Sequence, residues 1–152
     1  LGAMLSLLVC LMFTGCSNSE TNSTSRGLTD FAHIEEEYLA TIDSLNWPDG
    51  ITLPDKLEDE DTGASFQVGY GETRASYLWE YSWMKEWLDT YNTDLERAEK
   101  ALEELEKAFD MPYMGIDRCD DATRNYLREN IDKAKLGDPS GFTESIRANY
   151  AN

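Results

Sequence analysis

ASYLWEYSWMKEWLDTY, residues 75–91, decides the fold. At about 100° of turn per residue, Trp79, Trp83, Trp87, Tyr91, Met84, Tyr77, Leu88 and Tyr81 cover an arc of roughly 200°, leaving Ser82, Lys85, Glu86 and Asp89 opposite. A helix apolar over so much of its circumference belongs at the centre of a bundle. The segments on either side carry narrower stripes suited to packing around it. Phe31, Ile34, Tyr38, Ile42 and Leu45 predict a helix from Thr29, with Thr29 or Asp30 as N-cap, ended by Asn46-Trp47-Pro48-Asp49-Gly50. After residue 91, Thr93-Asp94-Leu95-Glu96 has capping-box spacing and opens a helix with Leu95, Ala98, Leu102, Leu105 and Phe109 inward. Glu96/Lys100 and Glu103/Lys107 pairs occupy its solvated face, and Asp110-Met111-Pro112 closes it. A fourth helix runs from Asp120 or Asp121 to Leu136 with Ala122, Tyr126, Leu127, Ile131 and Ala134 inward, and Gly137 stops it. Asp138-Pro139 opens a fifth, with Pro139 at its first position and Phe142, Ile146 and Tyr150 as its stripe. The expectation is an all-α, irregular bundle of four to five helices.

Residues 46 to 75 lack helical periodicity, which predicts a long extended strap between the first two helices. Trp47, Ile51, Leu53, Leu57, Phe66, Val68 and Tyr70 are its candidate apolar pegs, and Ser65 to Tyr70 alternates as a short extended segment does. The chain has 152 residues, and 13 Lys+Arg against 30 Asp+Glu leave a net charge of -17. That charge repels phosphate backbones and anionic headgroups, so nucleic acid and a polybasic membrane patch are not expected partners.

The address lies at the other end. Leu1 to Phe13, LGAMLSLLVCLMF, is an uncharged apolar run of signal-peptide length, too short for an ordinary membrane span, and Phe13-Thr14-Gly15-Cys16 follows the pattern of an apolar residue, two small residues and a cysteine. In these residues the chain resembles the bacterial lipoproteins, with Phe where Leu is usual. The resemblance covers the first sixteen residues or so. It implies cleavage before Cys16, acylation of that thiol, no transmembrane helix in the mature protein and a lipid anchor on the extracytoplasmic face of the cell membrane. Two or three acyl chains, at about 0.8 kcal/mol per buried CH₂, suffice for stable anchoring. No initiating Met or basic segment precedes the apolar run, so a few further upstream residues are expected. Ser17 to Gly27 is Ser/Thr/Asn-rich, a tether spanning roughly 20 Å. The resulting division is a signal peptide over 1–15, a flexible tether over 16–28 and an acidic helical domain over 29–152.

Several features are candidates for chemistry. The Trp79/Trp83/Trp87 ladder is either core or an exposed stacking strip for sugars, aromatic ligands or peptides. Glu80 falls inside the apolar arc, where a carboxylate has to be paired, protonated or turned to a cavity; Arg74, Arg118, Arg124 and loop backbone are the candidate partners. A glycosidase needs a second carboxylate, and Glu72 in Gly69-Tyr70-Gly71-Glu72 is the nominee. The two glycines lack the spacing of a nucleotide-binding loop and suit a strap passing close to the aromatic helix. Once Cys10 is removed and Cys16 acylated, Cys119 is an odd thiol: a small buried hydrophobe, a disulfide partner or, last, a nucleophile. His33 has no second histidine to share a metal with, and neither Glu58-Asp59-Glu60-Asp61-Thr62-Gly63 nor Asp117 to Asp121 has calcium-loop spacing, so no metal or cofactor is expected. The expectation is a lipid-anchored extracytoplasmic binding or protein-interaction module, non-catalytic, with an envelope protein or glycan as partner and Trp79, Glu80, Trp83, Trp87 and Glu72 as candidate ligand contacts. The alternatives are a carbohydrate- or peptidoglycan-active enzyme using Glu80 with Glu72, and an inhibitory or structural lipoprotein docking through an exposed aromatic patch.

Overall fold

The computed structural model describes residues 27–58 and 60–150. The segment read as a signal peptide, Cys16 and the expected tether up to Arg26 lie outside those residues. Within them the chain is a helical bundle: β1 (Leu28–Thr29), α1 (Phe31–Ser44), β2 (Phe66–Gln67), α2 (Tyr70–Thr90), α3 (Leu95–Glu106), α4 (Asp121–Lys135) and α5 (Ser140–Asn149), with 3-10 turns at Lys107–Asp110 and Pro112–Met114. The capping signals settle the helix starts. Asp30, Asp94 and Asp120 each accept a hydrogen bond from the backbone N–H three residues on. Asp94, not Thr93, is therefore the cap of α3, and Pro139 stands just before α5 instead of at its first turn.

Helix α2 is the hub, packing against α1, α3, α5 and the Pro112–Met114 turn. It begins at Tyr70, five residues before its aromatic run suggests. Gly69-Tyr70-Gly71 therefore opens this helix and does not belong to a strap sliding past it. Gly69 has φ of 88°, a left-handed conformation open to glycine, and offers no side chain as a cap. The cap comes from α1: the Glu37 carboxylate accepts from Gly69 N at 2.8 and 2.9 Å and from Gly71 N at 3.2 Å. A carboxylate at a helix N-terminus satisfies orphan donors and opposes the helix dipole together. Gly71 is buried where α2 crosses α1, and a Cβ there would overlap the Ile34 carbonyl oxygen.

The strap is held at fewer points than its composition suggests. Leu57 is buried with its N–H donating to Glu35 Oε1 at 3.2 Å, and Trp47, Phe66 and Tyr70 pack on the core. Ile51, Leu53 and Val68 stay more than a third exposed, so they are not pegs. The extended segment is limited to Phe66–Gln67, which pairs antiparallel with Leu28–Thr29. One residue of the segment read as tether, Leu28, thus belongs to this ribbon. On α3, Leu95 is 68% exposed, while Ala101 and Glu104 are buried. Lys107 pairs with Glu104 at 2.7 Å, three residues away, instead of with Glu103. On α4, Ala122 and Tyr126 point outward, and Asn130 takes a buried position where Gly141 of α5 approaches it closely.

Gly71→Ala is expected to lose about 3 kcal/mol of stability, since the added methyl meets fixed backbone. Gly50→Ala, with φ of 79° but open space around it, is expected to lose only about 1 kcal/mol. Denaturant melts of the two variants measure the difference; equal losses would contradict the proposed close crossing.

Candidate functional site

The tryptophan ladder is core. Trp79, Trp83 and Trp87 are 1%, 1% and 2% exposed, so the stacking-strip reading is corrected. Both Trp79 and Trp83 donate their indole N–H to one carbonyl, Asn46 O, at 2.8 and 3.1 Å. Trp87 stacks on Tyr91 and meets Phe142 edge-on. The indole N–H groups of Trp79 and Trp83 are thus taken by the strap, and the Trp87 ring is covered by neighbouring side chains.

Another face of α2 borders open space. A cleft of about 760 Å³ lies between α2, α4 and α5, within the size range of small-ligand sites. Helix α2 supplies Arg74, Tyr77, Leu78 and Glu80; α4 supplies Thr123, Tyr126 and Leu127; Ser145, Asn149 and Tyr150 come from α5 and its end. Tyr38 of α1 and Met114 complete the lining. Tyr77 and Tyr126, each 40% exposed, stand toward solvent. The Tyr150 hydroxyl donates to Tyr77 O at 3.3 Å and its ring packs 4.9 Å from Tyr81, so the end of α5 is held against α2.

Glu80 is the anomalous group in this cleft. It is 7% exposed, and Oε2 accepts the Tyr113 hydroxyl at 2.7 Å. None of the three arginines proposed as partners reaches it. Arg118 pairs with Glu72 at 2.7 Å, Arg74 pairs with Glu60, and Arg124 holds Asp121 at 2.5 Å and the Cys119 carbonyl. Oε1 of Glu80 has no hydrogen-bond partner among the described residues, yet it is not a fully enclosed atom. Burial raises the Glu80 pKa to about 7, with the Tyr113 hydrogen bond opposing that rise. Burial and then the Glu80 charge push the phenols of Tyr77, Tyr113 and Tyr150 up, so all three stay neutral donors.

The remaining candidates find ordinary partners. Glu72 is absent from the cleft lining, and eight residues of helix separate it from Glu80 by a rise of about 12 Å, so the two are not brought together as a glycosidase pair. Burial pushes the Cys119 thiol up, against a nucleophilic role, and its sulfur lies 3.6 Å from that of Met114. His33 sits on the surface 3.3 Å from Glu37. Glu60 receives Arg74 and the Tyr70 hydroxyl, and Asp61 closes its own turn. Among the described residues no group of three or more His, Cys, Asp or Glu is placed to hold a metal ion, and no helix is long and apolar enough to cross a membrane. The residues that sequence reasoning missed are Tyr113, Tyr126 and Tyr150: the first lies in a turn without periodicity, and the other two sit on stripes that read as core.

No protein-family model, curated protein or solved structure matches the chain, so the functional argument rests on this geometry.

A raised carboxylate pKa carries a definite pH signature. Below the unfolded value of 4.5 both states hold the proton; between 4.5 and about 7 only the folded state does, and above about 7 neither does. Stability tied to this group is therefore full at low pH and falls through that window by ~3 kcal/mol. Glu80→Gln keeps an acceptor for Tyr113 but has nothing to ionise. Relative to the unaltered protein it is expected to gain ~3 kcal/mol between pH 4.5 and pH 8 in denaturant melts. A pH-independent difference would contradict the burial of an ionisable Glu80.

Proposed function

We propose that this chain is a lipid-anchored extracytoplasmic binding module, held by acyl chains on Cys16 and presenting the Glu80 cleft to a small ligand. One observation carries the binding part of the reading. A carboxylate 7% exposed, with one oxygen lacking any protein partner among the described residues, lines a cleft large enough for a ligand. An uncompensated buried charge costs several kcal/mol and persists where it serves a site. Binding without catalysis is favoured because, among the described residues, the near titratable neighbours of Glu80 are tyrosines and a thiol whose pKa values are raised, and no second carboxylate or histidine lines the cleft. The candidate contacts are accordingly Glu80, Tyr77, Tyr126 and Tyr150, and the tryptophans support them from the core. Support for the anchor is the lipobox-like Phe13-Thr14-Gly15-Cys16 behind an apolar run.

Both parts are testable. Metabolic labelling with a fatty-acid analogue is expected to mark the full-length protein in the membrane fraction, and Cys16→Ser to abolish labelling and release it; unlabelled soluble protein would end the anchor reading. A thermal-shift panel of amines, sugars, peptidoglycan fragments and short peptides is expected to yield one class that raises the midpoint in a concentration-dependent way. That rise should vanish in Tyr126→Ala, whose partly exposed ring is not needed for the core. A rise that survives Tyr126→Ala, or none with any class, would remove the cleft as the binding site.

A further inference from the structure

We infer that the cleft takes a small molecule bearing a primary ammonium group, with Glu80 as its counter-ion and the surrounding tyrosine rings as its walls. The inference rests on the binding-module reading and specifies its ligand. Three observations converge on this chemistry. First, no basic side chain among the described residues pairs with Glu80: Arg74, Arg118 and Arg124 are engaged elsewhere, and Oε1 of this cleft-lining residue is left without a protein partner among them. Second, the lining is aromatic and rich in acceptors. Tyrosine faces attract cations through the ring quadrupole. Asn149 Nδ2 is committed to Ser145 O at 3.0 Å, which leaves the Asn149 side-chain carbonyl as its free end. An ammonium has three N–H donors and no acceptor, and so matches a carboxylate, an amide carbonyl and a hydroxyl better than a quaternary ammonium does. Third, the net charge of -17 concentrates cations and repels anions. Arg74, the one basic side chain among the described residues that line the cleft, is neutralised by Glu60, so an anionic ligand meets no free cation among them.

The same geometry sets the pH response. The titratable groups around Glu80 are Tyr77 on its own helix, Tyr113 in the 3-10 turn, Cys119 in the following loop and Tyr150 at the end of α5; Tyr38 and Arg74 line the cleft further along, and Tyr126 stands across it on α4. With its pKa at about 7, Glu80 is the group that changes charge between pH 5 and 8. An ammonium binds the ionised form, so affinity rises with pH to a plateau near pH 8 and falls again only where the amine itself loses its proton.

The test is a titration of the full-length protein in detergent micelles with two matched pairs, propylamine against 1-propanol and glucosamine against N-acetylglucosamine, followed by calorimetry and by amide shifts of cleft residues. The two pairs distinguish a simple alkylamine from an amino sugar. The expected result is binding of at least one amine at least about tenfold tighter than its neutral counterpart, read at about pH 8 for propylamine and at about pH 7 for the more weakly basic glucosamine, weakening by about tenfold per unit well below pH 7, and lost in Glu80→Gln. Amine binding unchanged in Glu80→Gln reports the acidic surface alone and overturns the inference. Neutral partners binding as well as the amines overturn it too, as does the failure of both amines to perturb the cleft. If the amines fail while another class in the thermal panel gives a Tyr126-dependent shift, only the ammonium assignment falls and the binding cleft stands.

Discussion

The close crossing of α1 and α2 is the constraint on which the rest of the molecule depends. Gly71 lets the two backbones approach, and the Glu37 carboxylate of α1 caps the first turn of α2. With no side chain at Gly69 to do this, α2 cannot start where it does unless α1 is already beside it. Once the start is fixed, the 3.6-residue period fixes the rest: Trp79, Trp83 and Trp87 turn to the core, and Glu80 turns to the gap bounded by α4 and α5.

That gap makes Glu80 an exception to the way the other carboxylates are handled. Glu86 is clasped by Arg97 at 2.7 and 2.9 Å, Glu104 by Lys107, Glu72 by Arg118 and Glu60 by Arg74. Each of these has a basic partner, including Glu104, which is as buried as Glu80 at 7% exposed and is still reached by Lys107. Glu80, by contrast, is set between tyrosines, with one phenol hydrogen bond and no cation among the described residues. A leucine there would pack without any ionic penalty. Retaining an acid is intelligible when something outside the chain completes it.

Much of the fold was legible because its signals are local. The Ile34/Tyr38/Ile42 stripe and the density of aromatics on the central helix follow from spacing alone and are as the sequence implied; Asp30 and Asp120 are each one of two residues the sequence offered, while Asp94 takes the place read for Thr93. Glu80 also stood out, as a charge inside an apolar arc. What escaped was non-local. The first turn of α2 reads as a turn, Gly69-Tyr70-Gly71, because its cap lies 32 residues upstream in α1. Three tryptophans at four-residue spacing look the same whether covered or bare, and what decides it is non-local: the Asn46 carbonyl arriving from the strap at Trp79 and Trp83, and Phe142 of α5 at Trp87. Tyr126 and Tyr150 satisfy a helical stripe, yet the stripe's edge faces a void that no sequence period encodes.

The most direct measurement of the central claim is the ¹³C titration of the Glu80 side-chain carboxyl in the full-length protein, assigned by its absence from Glu80→Gln. A carboxylate buried without a counter-charge should titrate with a midpoint at about 7. A midpoint in the ordinary glutamate range near 4.5 would mean that Glu80 is solvated or already neutralised by the protein, and the cleft would lose the unsatisfied charge on which its reading as a binding site stands.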